Sequence, residues 1–148
     1  MLQPNDEARL DSLARDFRRV FHQRLGHVNA YEEFTDRLVV TIPASHSDTG
    51  NIVVWFDGDE VTVGIGEHFH CHFETYLEEG LPEAERQRLA AERAVDFIAS
   101  FMADSIVLRV TRERGRVVSA GTYPVDTLDA PPKADEIDYF WSGPSRAR

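Results

Sequence analysis

Between Asn51 and Glu74 the chain reads NIVVWFDGDEVTVGIGEHFHCHFE, with side-chain character alternating through most of its length. Asp57-Gly58-Asp59 separates two runs rich in β-branched and aromatic residues, and glycine beside aspartate marks a tight hairpin connection. A tight even-length turn preserves the parity of the two strands. Ile52, Val54 and Phe56 are therefore expected to share a buried face with Val61, Val63, Ile65, Phe69, Cys71 and Phe73. The opposite face collects Val53, Trp55, Thr62, Gly64, Gly66, His68, His70 and His72, with Glu74 at its end. On this reading residues 61–74 form one long second strand. Its imidazoles look toward solvent and its phenyl rings look inward, as in a half-solvated antiparallel sheet.

The flanking segments alternate in ways that place them around this hairpin. Leu10, Leu13, Ala14, Phe17, Val20, Phe21 and Leu25 recur at helical spacing opposite Arg9, Asp11, Arg15, Arg18 and Arg19. Asn5 or Asp6 is placed to cap this helix, Asp6 and Glu7 sit at the positive end of its dipole, and Gly26 ends it. Leu38, Val40 and Ile42 alternate with Val39 and Thr41 in a first strand closed by Pro43. Residues 44–50, ASHSDTG, are a small polar loop containing His46 and Asp48.

After the hairpin, Gly80-Leu81-Pro82 opens a second helix whose buried side is Leu89, Ala90, Ala94, Phe97, Ile98, Phe101 and Met102. Ile106, Leu108 and Val110 alternate with Val107, Arg109 and Thr111 in a fourth strand, and residues 116–123 form a fifth. The inward face of that fifth strand stays ambiguous because Val117 and Val118 adjoin. The order α-β-β-β-α-β-β predicts an α+β domain, an antiparallel sheet of about five strands with both helices on one face. Residues 1–123 are read as a single domain. Residues 124–148 are read as a proline-containing segment whose aromatic cluster, Tyr139-Phe140-Trp141, docks as an edge strand or contacts a partner.

Composition narrows the function classes. The 148 residues fit one ordinary domain, and a formal charge of −10 argues against nucleic acid, whose phosphates call for clustered Lys and Arg. The same charge favours a basic partner or a merely solvated surface. One cysteine leaves no internal disulfide and fits a reducing compartment. The opening MLQPNDEARL has neither a basic leader nor an apolar stretch, and no apolar run is long enough to span a bilayer, so a cytoplasmic protein with no membrane contact is expected.

Two chemistries compete for the histidines. Two imidazoles from a strand His-X-His can bind one zinc. Alternate residues lie about 7 Å apart and the outer pair about twice that, so one metal takes His68 with His70 or His70 with His72. A third ligand then comes from His46, Asp48 or Glu74. The competing reading has no cofactor: the imidazoles stand beside Trp55 and serve packing or contact with a partner.

Nucleophilic catalysis has little to stand on. No Gly-X-Ser-X-Gly elbow is present, and Cys71 falls on the apolar face, where a thiol behaves as a small hydrophobe. Gly64-Ile65-Gly66 opens no helix, so it is no phosphate loop. Its glycines instead leave room for the Trp55 indole beside the histidines. Trp55 flanked by His68, His70 and His72 and edged by Asp57, Glu60 and Glu74 has the composition of a patch that receives Arg and Lys from another protein. Imidazoles titrate near neutrality, so such a patch is expected to weaken toward acid.

The run GDEVTVGIGEHFHCHFETY, the helix AERAVDFIASFMAD and the strand SIVLRV together resemble small bacterial proteins. Many of these are encoded beside secreted polymorphic toxins and are taken to be their immunity proteins. The similarity covers residues 55–110 and rests on the Glu-Val-Thr-Val strand and the His-X-His-Phe ending, with no catalytic signature. It implies a cytoplasmic protein that occludes a toxin domain. Taken with the residues, the leading reading is a non-enzymatic, acidic binding protein that uses the Trp55 and histidine face to block a basic protein partner. The alternative is a metal-dependent enzyme or metal-binding protein using a His-X-His pair, and a third reading gives the exposed face to homodimer contact.

Overall fold

The computed structural model describes residues 2–146. The architecture is α+β: a five-stranded antiparallel sheet, a four-stranded antiparallel sheet, and three helices. The first sheet is a meander in spatial order β1 (Tyr31–Phe34), β2 (Leu38–Ile42), β3 (Ile52–Asp57), β4 (Glu60–Ile65) and β5 (Phe69–Glu74). The second runs β7 (Arg116–Pro124), β6 (Ile106–Glu113), β8 (Glu136–Phe140) and β9 (Gly143–Arg146).

The expected single helix at the start of the chain is two. A short helix α1 (Pro4–Glu7) ends before Asp11, whose carboxylate accepts from Ala14 N–H at 2.8 Å and caps α2 (Ser12–Leu25). The cap satisfies an amide that the helix itself leaves without a partner, so the helix restarts there although the apolar stripe runs on through Leu10 and Leu13. The other long helix, α3 (Glu83–Met102), begins just after Pro82, which stands at its N-cap instead of lying in its first turn, and it buries Ala90, Ala91, Ala94, Val95, Ile98 and Phe101, while Leu89, Phe97 and Met102 are only half-buried.

Register fixes the inner face of the first sheet. Ile52, Val54 and Phe56 lie opposite Ile65, Val63 and Val61, which in turn lie opposite Phe69, Cys71 and Phe73. Directly opposed residues share a face, so the parity expected from the alternation holds across all three strands. Phe17 of α2 packs edge-on against Phe56 at 5.4 Å between centroids, and Phe97 of α3 meets Phe73 at 5.7 Å. Both helices therefore cover the same face. Leu108, Val110 and Tyr139 of the second sheet join this hydrophobic core, and Phe101 meets Trp141 at 6.3 Å.

Three differences from the expected strands have physical causes. The long second strand of the hairpin is two strands, because Gly66 at φ +52° turns the chain and His68 N–H donates to Ile65 O at 3.2 Å. The first sheet gains its fifth member from residues 31–34, while the strands at 106 and 116 belong to the second sheet. The C-terminal segment supplies two strands of that second sheet, and β8 is interior, between β6 and β9.

The ambiguity at Val117 and Val118 is a β-bulge. Thr111 pairs with Ser119 and Arg112 with Val117, so Val118 is the extra residue. On the outer side of β6, Arg109 faces its register partner Asp138 through two hydrogen bonds of 2.7 and 2.9 Å, with a third to Ala130 O at 3.0 Å. The carboxylate holds the Arg109 pKa above its ordinary value. No helix among the described residues is long and apolar enough to cross a membrane.

Candidate functional site

The outer face of the first sheet is a grid whose rows follow from the strand register. One row runs Tyr31, Thr41, Val53, Gly64, His70, and the next Glu33, Val39, Trp55, Thr62, His72. A further row carries Asp57, Glu60 and Glu74, each directly opposite the next. Helices cover only the other side, so this face keeps its side chains as its own cover.

Trp55 is the largest of them. Its indole lies across Gly64, where an added β-carbon would sit 3.2 Å from Cζ3 and 3.5 Å from Cη2. This is the room the glycine was expected to leave. The His70 ring follows at 6.5 Å between centroids, and His72 stands edge-on to His70 at 5.2 Å. His70 and His72 are exposed, whereas Phe69, Cys71 and Phe73 are half-buried against the core. Burial pushes the Cys71 thiol up to about 12, which fits a packing role and not a nucleophile.

Hydrogen bonds hold the row in place. Trp55 Nε1–H donates to Asp57 Oδ2 at 3.0 Å, and Arg37 binds the other oxygen of the same carboxylate. Asp57 therefore orients the indole and is itself neutralised by Arg37, which removes it from the free acidic rim. His72 Nδ1 lies 3.0 Å from Thr62 Oγ1 and 3.2 Å from Glu60 Oε2. The Thr62 hydroxyl is fully buried, and without that imidazole it would be left unsatisfied at a cost of about 1–3 kcal/mol. Glu74 hydrogen-bonds the Tyr76 hydroxyl and raises its pKa. Two carboxylates, Glu60 and Glu74, thus face each other across strands, an arrangement that repels.

His68 departs from the expected set. It lies in the turn between β4 and β5, half-buried, and stacks on Tyr139 at 4.1 Å and 24°. Its Nε2–H donates to Asp48 O at 2.8 Å, and its Nδ1 accepts from Arg112 at 3.1 Å. Both ring nitrogens are occupied, so His68 ties the turn to the second sheet instead of offering itself to a ligand.

The donors considered for zinc do not come together. His46 accepts from Asp48 N–H at 3.1 Å and packs against Gly143, and Asp48 reaches His68 through its backbone carbonyl. No group of three His, Cys, Asp or Glu that could hold a metal ion occurs among the described residues.

Two lining residues were not singled out from the sequence. Val53 and Glu67 join Trp55, Gly64, His68 and His70 around a shallow open groove of about 350 Å³. Val53 is visible in the alternation but is an ordinary strand residue. Glu67 reaches the groove only because the chain turns at Gly66. No family model, no curated protein and no solved structure matches this chain.

Proposed function

We propose that this chain is a non-enzymatic, acidic binding protein of the immunity type, acting in the cytoplasm to neutralise a basic toxin domain by covering it. The observation that carries the reading is the opposition of Glu60 and Glu74 beside the half-buried Trp55 and the exposed imidazoles of His70 and His72. Like charges placed directly across strands cost stability in the free protein, and a guanidinium or ammonium group from a partner relieves that cost on docking. Trp55 supplies the anchor, a large ring already fixed by Asp57 and therefore ordered at little further entropic cost. His70, whose ring makes no hydrogen bond within the described residues, is open to the partner. The net charge of −10 adds long-range attraction for a basic surface.

Calorimetric titration of the purified chain against basic domains encoded in the neighbouring open reading frames tests this. Binding that falls as salt is raised, and that Trp55→Ala weakens by about a hundredfold, is expected for a buried aromatic anchor. Absence of binding, or binding indifferent to Trp55→Ala, removes the reading.

A further inference from the structure

Two ladders of the first sheet fix the direction of every backbone group on β5. Gly66 N–H donates to Asn51 O at 2.8 Å, one step beyond the Ile52 and Ile65 pair, so even-numbered residues of β4 bond to β3. Thr75 N–H donates to Asp59 O at 2.9 Å, one step beyond the Glu60 and Glu74 pair, so odd-numbered residues of β4 bond to odd-numbered residues of β5. Antiparallel ladders alternate between hydrogen-bonded and open pairs. Phe69, Cys71 and Phe73 therefore direct their amides and carbonyls to β4, while those of His70, His72 and Glu74 point away from the sheet. β5 is the last strand in its order, and no backbone group among the described residues pairs with those of His70 or His72.

The other outer strands are protected or short. β7 carries the Val118 bulge and ends at Pro124, β9 contains Pro144, and β1 spans four residues. β5 runs six residues, FHCHFE, with no proline, lysine, arginine or bulge, the features by which exposed edges are usually kept from pairing.

We propose that the β5 edge receives an extended basic segment of the partner as a sixth strand, an inference that rests on the basic-partner reading above. A strand added there continues the row Asp57, Glu60, Glu74, so its residue beside Glu74 on the outer face is Arg or Lys. Its alternate residues turn inward beside Phe69 and Phe73 and are apolar. Specificity comes from this alternation and affinity from the main-chain bonds at His70 and His72. A second copy of the chain is a poor occupant, since it brings another ten negative charges and its own Glu74 to the same edge.

The test uses a short capped peptide of alternating Arg and Val as probe, titrated against the whole chain. His72→Pro removes an outward amide without touching a bond to β4, and His72→Ala is its side-chain control. The expected result is that the proline variant binds the peptide about tenfold or more weakly than the alanine variant, with both melting cooperatively. Equal binding by the two overturns strand addition.

Two further peptides, one N-methylated at every Arg and one at every Val, report on pairing even if the proline variant fails to fold. Each blocks one edge of the added strand, so one of them loses binding and the other keeps it, and equal effects overturn the proposal. Loss of binding in Trp55→Ala with equal binding by the two His72 variants removes the sixth strand and leaves the docking face standing. Indifference to Trp55→Ala removes the docking face itself. Dimerisation of the chain that the proline variant abolishes assigns the edge to a second copy and overturns the basic-segment occupant.

Discussion

The indole of Trp55 lies so close over Gly64 that a β-carbon there would sit 3.2 Å from Cζ3. The glycine is a seat for the ring, and the position of the ring defines the proposed docking face. Gly64→Val is expected to lift the indole from the sheet and destabilise the fold by about 1–3 kcal/mol, the usual cost of forcing bulk into a filled site. The Trp55 Nε1–H resonance, held by Asp57 in the native protein, reports the displacement directly.

Arg109 and Asp138 form a two-pronged pair with side chains 16% and 6% exposed. Removing one partner strands the other charge away from water, so Asp138→Ala is expected to cost about 3–5 kcal/mol in denaturant unfolding. Replacing both residues by apolar ones of similar volume is expected to return most of that loss. A small effect from the single variant would show that water reaches the site.

Much of the fold could be read from alternation, and the failures have particular causes. Parity carried the inner face correctly through Ile52, Val63 and Cys71 because one register links them. The turn at residues 66–68 is invisible to the same reasoning: three residues between Ile65 and Phe69 leave both on one face, as an unbroken strand would. The helix break before Asp11 is hidden because the apolar stripe continues across it. Residues 31–34, Tyr-Glu-Glu-Phe, show no apolar face because they form an outer strand, exposed or half-buried throughout. His70, His72 and Trp55 stand together as their spacing suggested, but the capture of His68 by Tyr139 and Arg112 depends on contacts over long stretches of chain that spacing does not encode.

Cys71 offers a test of which side of β5 faces in. Its thiol is raised from 9.0 to about 12 by burial, so the folded state holds its proton more tightly than the unfolded state. Its contribution to stability is complete below pH 9 and is lost as pH climbs from there toward 12. Reaction with a disulfide reagent at pH 8 is expected to be slower in the folded protein by about a thousandfold on thiolate fraction alone. Reaction at the unfolded rate would place the thiol outside.

Glu74→Gln separates stability from binding. It removes one charge of the opposed pair while keeping an oxygen for the Tyr76 hydroxyl. At low salt the variant is expected to be more stable by a few tenths of a kcal/mol and to bind the basic partner more weakly. A variant that loses stability would show that the two carboxylates do not repel.

Amide hydrogen exchange of the chain, with and without a bound basic partner domain, tests the proposed docking face most directly. Protection concentrated on residues 53–57 and 69–74, with β7 unchanged, is the result expected. Protection confined to β1 or to Val117 and Val118, with those residues exchanging as in the free protein, would contradict it.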